Sequence, residues 1–319
     1  MSDHTGDLIS PEQALAHELL QQRQAARERR DYAAADALRA QIEELNFLVV
    51  DTAEGPGLQP KPAYSVLDGA APFPPFAQGA TVSLTVIVAG WLDDALDFAQ
   101  RFASSEPDSM HLLLVDVSGD DPIARGLEQL SREQPQITVL HVDPSKGWSG
   151  IHAAAAAACE APLYALADMS TLLDGPVLQM CAHELEHGNN VVASGWRGAN
   201  IDRADQWRSV VDAGAGECDV LLSYLMVMRT DDARTTPPHP RARFYRNADI
   251  EWSLRLRQAH LERTGTPARM IALGSDAPLQ QGRHHGYHDS DPELRDRESR
   301  KTYDRILSAF RGRTDLLAG

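Results

Sequence analysis

Lysine and arginine are in short supply: 30 of them face 46 aspartates and glutamates, giving a formal charge of -16. Non-specific attraction to a nucleic-acid backbone or an anionic membrane needs clustered cations, so neither is expected as a general partner. An acidic protein still meets phosphates locally through a metal ion. Cysteine is scarcer. Cys159, Cys181 and Cys218 lie far apart with no CxxC spacing, which argues against a disulfide framework or a zinc ribbon and fits a reducing, cytoplasmic setting. Long apolar runs are missing too: no segment approaches the ~18 consecutive apolar residues needed to span a bilayer. The opening Met1 to Ser10 has neither a basic start nor an apolar stretch, so secretion and membrane insertion are not expected. No internal repeat of fixed period occurs.

What is there is ordinary globular composition, 43% hydrophobic and 24% charged over 319 residues, enough for one large domain and a smaller one. Ser10-Pro11-Glu12-Gln13 reads as a helix start, with Ser10 as N-cap, Pro11 in the first position and Gln13 able to close a capping box; the helix should run to about Arg29. Asp31 caps a second helix, in which Ala35, Leu38, Ile42 and Leu45 recur at spacings of three and four. Residues 10–46 are therefore expected to form a helical hairpin, followed by a short extended piece at Phe47 to Val50. Gly55-Pro56-Gly57, Pro60, Pro62, Pro72, Pro74 and Pro75 then give residues 55–80 the composition of a linker.

From Val82 the pattern changes. Aliphatic runs at 82–89, 111–117, 137–142 and 162–168 alternate with helix-like stretches, a βαβ rhythm that predicts a mostly parallel sheet covered by helices. Further strands are expected at 190–194 and 219–228. Asp291-Pro292 starts a last helix with Tyr303, Ile306, Leu307 and Phe310 on one face, which should dock on the larger domain.

Two stretches resemble known families. Arg23, Ala26, Arg27, Arg30, Asp31, Tyr32, Ala35, Asp36, Leu38 and Arg39, followed by Asp51-Thr52-Ala53-Glu54-Gly55, resemble the C-terminal helical segment of cysteinyl-tRNA synthetases over about fifty residues. No HIGH-like or KMSKS-like motif and no zinc-binding cysteine set accompanies them, so aminoacylation is not expected. Residues 12–46 hold five Arg and no Lys against seven Asp and Glu, a poor footprint for RNA. A solvated hairpin (residues 1–54) that packs on its own protein, mediates dimerisation or meets a protein partner is the simpler expectation, with RNA contact through Arg27, Arg29 and Arg30 as the rival.

Transfer of a sugar from a nucleoside diphosphate needs a nucleotide pocket, a divalent cation on the diphosphate and a carboxylate to deprotonate the acceptor. Residues 81–319 carry a candidate for each. Leu114-Val115-Asp116-Val117-Ser118-Gly119-Asp120-Asp121 resembles, one residue out in spacing, the Asp-x-x-Ser-x-Asp segment after the second strand of family-2 glycosyltransferases. Lys146 to Ala153 is similar to that family's Gly-containing turn into a small-residue helix, and Asp168-Met169-Ser170 to its Asp-x-Asp strand end. Leu221 to Arg229 looks like the acceptor-side strand, and Phe244 to Arg257 like the family's acidic helix start. The resemblance implies a GT-A type α/β fold and an inverting, metal-assisted transferase taking a nucleotide sugar and an unknown acceptor. By it, Asp116, with Ser118 and Asp120, contacts the nucleotide, and Asp168 and Ser170 hold Mn²⁺ or Mg²⁺. His284 or His285 completes the metal site, and Asp249 is the base with Glu251 second. The family's helical Asn is Ala153 here, and its second Asp is Ser170, leaving one carboxylate ligand where two are usual. A fold that has lost transfer activity and serves as a binding or scaffold protein is the second expectation.

His183-Glu184-Leu185-Glu186-His187 also satisfies HExxH, in which two histidines one turn apart hold zinc and the Glu activates water. Gly188-Asn189-Asn190 should end the helix at His187, and no third ligand stands at the usual spacing, so zinc hydrolysis is not expected.

Overall fold

A computed structural model describes residues 10–52, 55–61, 64–283 and 291–318, and the chain divides into two compact units, Met1–Ser65 and Val66–Gly319.

The smaller unit holds α1 (Pro11–Glu28) and α2 (Tyr32–Glu44). Ser10 Oγ accepts from Gln13 N at 3.1 Å and Asp31 Oδ1 from Ala34 N at 3.1 Å, so both expected caps form. The two helices pack together, with Ala16, Leu20 and Ala26 of α1 and Ala35 and Ile42 of α2 buried. The extended piece is longer than expected: β1 (Phe47–Thr52) pairs antiparallel with β2 (Gly55–Pro60). The first part of the supposed linker is thus a strand.

The larger unit begins with β3 (Val66–Leu67), β4 (Val82–Val88), α3 (Leu92–Ser105), β5 (Met110–Asp116), α4 (Asp121–Glu133), β6 (Ile137–Val142), α5 (Gly147–Ala158) and β7 (Leu163–Ala167). It continues with β8 (Thr171–Leu173), α6 (Val177–His187), β9 (Val191–Ile201), β10 (Val210–Gly214), β11 (Gly216–Cys218), β12 (Val220–Arg229) and α7 (Thr230–Thr235). The last described elements are α8 (Ala248–Thr264), β13 (Arg269–Ala272), β14 (Leu279–Gln281) and α9 (Pro292–Phe310). Ten strands form one sheet in the order β11-β13-β9-β12-β7-β4-β5-β6-β3, with β10 on β9. The run β3-β6-β5-β4-β7 is parallel throughout, as is β9 with β13. The β12 strand enters antiparallel between β7 and β9.

Both sheet faces are covered, which is why these strands read as unbroken aliphatic runs. In β5, Leu113 and Val115 join one core with Trp148, Ile151 and Trp252, whereas Leu112 and Leu114 join the other with Phe98 and Phe102 of α3. Full burial of each phenylalanine contributes roughly 2–3 kcal/mol. Between Leu67 and β4 the Pro-rich stretch is pinned, not free. Phe73 and Phe76 sit in the core, Phe76 bridges Cys159, and Lys146 Nζ donates to the carbonyls of Gly69 and Ala71. Composition saw the prolines and passed over the two aromatic anchors. The expected docking of α9 is present: Ile306 and Phe310 bury with Ile250, Leu254 and Ala199. The α6 helix ends at His187, whose ring stacks on His183 at 4.1 Å. Among the described residues no group of three or more His, Cys, Asp or Glu is placed to hold a metal, and no helix is long and apolar enough to cross a membrane.

Candidate active site

From β4 the chain steps to β5 and β6 on one side, then returns to β7 on the other, so the carboxyl ends of β4 and β7 flank the switch point where such sheets open a crevice. A cavity lies there. Ile87 and Ala89 come from the end of β4, Asp168 and Met169 from the end of β7, and Trp91 from the loop after β4, where φ is 54° and the indole is 44% exposed. Beneath it α5 contributes Trp148 and His152. Gly147 begins that helix at φ 69°, where a Cβ would meet Arg243 O at 3.0 Å while Trp148 N donates to the same carbonyl. Burial pushes the His152 imidazole down to about 3, so it is neutral, and its Nδ1 lies 2.8 Å from the Tyr164 hydroxyl.

A second cavity of about 340 Å³ shares Asp168, Ser223 and Tyr245 with the first and adds Tyr224, Arg246 and Asp249. One residue ties the two acids together. Asp168 N donates to Ser223 O at 2.9 Å, and Ser223 N donates to Asp249 Oδ2 at 2.8 Å. Asp249 sits in the first turn of α8, its Oδ1 accepting from Ile250 N. Burial pushes its carboxyl above the ordinary aspartate value, with the backbone N–H groups of Ser223 and Ile250 opposing. Burial likewise pushes the Tyr245 phenol up to about 12.

Ser170 occupies a supporting place. It is fully buried; its N and Oγ donate to Asp168 Oδ1, and its Oγ accepts from Gln281 Nε2 at 2.9 Å. That fixes the Asp168 carboxylate while spending the hydroxyl expected as a metal ligand. His284 and His285 lie outside the described residues. Among the described ones, Asp168 is left as the single carboxylate for a cation. This fits a Mg²⁺- or Mn²⁺-type ion that takes one or two carboxylates and completes its shell with phosphate oxygens and water. It does not fit a cage made by protein alone.

The expected nucleotide contacts turn inward. Asp116 ends β5 beside Val88, but its Oδ1 accepts from Ser118 N and Oγ and its Oδ2 pairs with His141 Nδ1 at 2.8 Å; it lines neither cavity. Burial alone would push the Asp116 carboxyl up, and the bonds from His141 and Ser118 outweigh it and hold it below its ordinary value. Asp120 caps α4 through Ile123 N. Glu251 is also diverted: Arg305 of α9 grips both its oxygens, at 3.0 and 2.9 Å, and it lines neither cavity. The two-residue spacing from Asp249 does put the carboxylates on different faces.

Sequence reading missed Trp91, Ser223, Tyr224 and Arg246. Ser223 and Tyr224 reach the cavity because β9 and β12 fall out of register: Trp196 pairs with Leu225 and Gly198 with Leu221, so Arg197 alone opposes Leu222, Ser223 and Tyr224. Gly195 permits the close approach there, since a Cβ on it would lie 2.0 Å from Leu225 O. Two glycines inside β9, at 195 and 198, were the available signal.

Residues 12–55 match the family model described as the cysteinyl-tRNA ligase anticodon binding domain. The sequence matches none of the curated proteins compared with it. Among solved structures, the mannosyltransferase PcManGT from Pyrobaculum calidifontis, in complex with GDP-Man and Mn²⁺, superposes with a TM-score of 0.53 at 13% identity, over 79% of this chain and 71% of that one. S. aureus TarS 1-349 in complex with UDP-GlcNAc gives 0.48 at 15% identity, over 72% and 67%. At such identity the likeness to PcManGT speaks to architecture: the larger unit has the GT-A type glycosyltransferase fold, and the hairpin before it resembles the C-terminal segment of cysteinyl-tRNA synthetases.

Proposed function

We propose that the larger unit transfers a sugar from a nucleoside-diphosphate donor to an acceptor hydroxyl, with inversion at the anomeric carbon. One observation carries this reading: Asp168 and Asp249, from distant parts of the sequence, line neighbouring cavities at the sheet's switch point that share Asp168, Ser223 and Tyr245, and Ser223 bonds both the Asp168 backbone and the Asp249 carboxylate. The fold shared with a mannosyltransferase that binds GDP-Man and Mn²⁺ supports it. Asp249 takes the acceptor proton while the acceptor oxygen bonds to the anomeric carbon; the bond from that carbon to the diphosphate breaks, and the nucleoside diphosphate leaves. A carboxyl held above its ordinary value suits that role, because a base works best with a pKa nearer the operating pH. Mn²⁺ or Mg²⁺, held by Asp168, would neutralise charge on the diphosphate. Trp91 offers a half-exposed ring to the base at the mouth of the first cavity.

The rival, a degenerate transferase kept as a scaffold that presents the hairpin to RNA or a protein, is favoured by Ser170 standing where a second carboxylate is usual. Calorimetric titration of UDP and GDP, each with and without Mn²⁺, into wild type and Asp168→Ala decides between them. The transferase reading expects one nucleotide to bind with Mn²⁺ and to lose at least tenfold in affinity in the variant. Binding of neither nucleotide would leave the scaffold.

A further inference from the structure

Arg197 is an anomaly in the middle of a strand. It has φ 62°, a left-handed conformation that a non-glycine residue adopts only when its surroundings impose it, and it stands at the point where β9 and β12 lose register. Its guanidinium carbon lies 4.5 Å from the centre of the Trp196 ring and 5.7 Å from that of Tyr224, and the two rings meet edge to face at 6.0 Å. Tyr224 is a wall of the cavity that holds Asp249, and Arg246 lines the same cavity. Among the described residues neither arginine has a carboxylate within ion-pair distance, in a chain whose acids outnumber its bases by 46 to 30. The exposed Arg197 is therefore held by aromatic faces, and among the described residues its hydrogen-bonding fork has no partner.

A planar guanidinium fixed in this way matches the paired oxygens of a phosphate or carboxylate. We propose that the acceptor is anionic: Arg197, seated on Trp196 and Tyr224 and assisted by Arg246, binds an oxyanion close to the hydroxyl presented to Asp249. This rests on the transferase reading and narrows it to acceptors carrying a phosphate or carboxylate near the reacting hydroxyl. The bulge then serves two ends, turning Ser223 toward the two acids and Arg197 toward the anion.

Glycerol 3-phosphate, glycerate and glycerol are the probes, titrated at millimolar concentration into the full chain, with and without the nucleotide that binds. At least one of the two anions should bind and glycerol should not, the stronger anion identifying phosphate or carboxylate as the recognised group. Arg197→Gln should weaken the anion at least tenfold and Arg246→Gln less; Arg197→Lys should recover part of the loss. Nucleotide affinity should change less than twofold in all three variants. The proposal is overturned if glycerol binds as well as the anions, if Arg197→Gln leaves anion binding intact, or if nucleotide affinity falls in step, which would place Arg197 on the donor diphosphate. Should no nucleotide bind to wild type while the anion still depends on Arg197, the oxyanion site stands and the transferase reading alone falls.

Discussion

Replacing Asp249 by asparagine separates what that side chain does for the fold from the part proposed for it in the reaction. In the native protein its two oxygens each receive a backbone N–H, Ser223 N at 2.8 Å and Ile250 N at 2.8 Å. Asparagine keeps one acceptor and turns its NH₂ toward the other donor, so one buried N–H loses its partner. That costs about 1–3 kcal/mol, visible as a lower midpoint in urea. The reaction should suffer differently. Loss of a positioned base lowers kcat by about 10²–10⁴, equivalent to roughly 3–5 kcal/mol in the barrier. The measurement is release of nucleoside diphosphate from the cognate sugar donor across pH. With Asp249 as the proposed base, wild-type activity should fall as pH drops through the Asp249 pKa, and because burial raises that pKa the fall should occur above the ordinary aspartate range. The variant should be slow and flat over that limb, with nucleotide affinity within a few-fold of wild type. A variant that folds, binds nucleotide and turns over within threefold of wild type would falsify the assignment of Asp249 as base.

Stability should carry its own pH signature through Glu106, whose carboxyl burial pushes up to about 7, against the hydrogen bond from Leu178 N. Its native form binds the proton more tightly than the unfolded chain, so its contribution is present below about pH 4.5 and is lost as pH rises to about 7, by at most about 3 kcal/mol. In urea melts at pH 5 and pH 7.5, Glu106→Gln should lose less stability between the two values than wild type; equal losses refute the shift. Arg257 of α8 is buried and donates to the carbonyls of Ala268, Leu316 and Cys218. Arg257→Met should destabilise by about 3–5 kcal/mol, and a loss under 1 kcal/mol would mean those carbonyls find other donors.

The parts of this protein that were legible are those where one segment decides its own structure. Strands β4 to β7 are buried on both faces, so each announces itself as an aliphatic run, and the helix starts at Ser10, Asp31 and Asp291 are local exchanges between a cap and a nearby N–H. Phe73 and Phe76 escaped because their significance depends on the core they enter, not on their proline-rich neighbours. The order of motifs along the chain nominated Asp168 and Asp249, and both line the cavities at the switch point. Asp116 and Glu251, equally acidic and equally well spaced, could not be told apart from them, because the partners that draw them aside, His141 and Arg305, come from other elements.

The bulge is the extreme case. Nothing in Leu222-Ser223-Tyr224 marks those residues as opposing a single partner, since the mismatch exists only between two strands. Its one local trace is in the other strand, where Gly195 and Gly198 flank Arg197. Gly195 has no room for a Cβ against Leu225 O, and Gly198 would place one 2.8 Å from the sulfur of Cys218. Glycines that weaken a strand are retained where another backbone or side chain must come close, and here that approach sets Ser223 between the two acids. Glycine spacing inside a β-run flanking a lone charged residue thus marks a close approach and a slip of register, readable once the strand opposite is known.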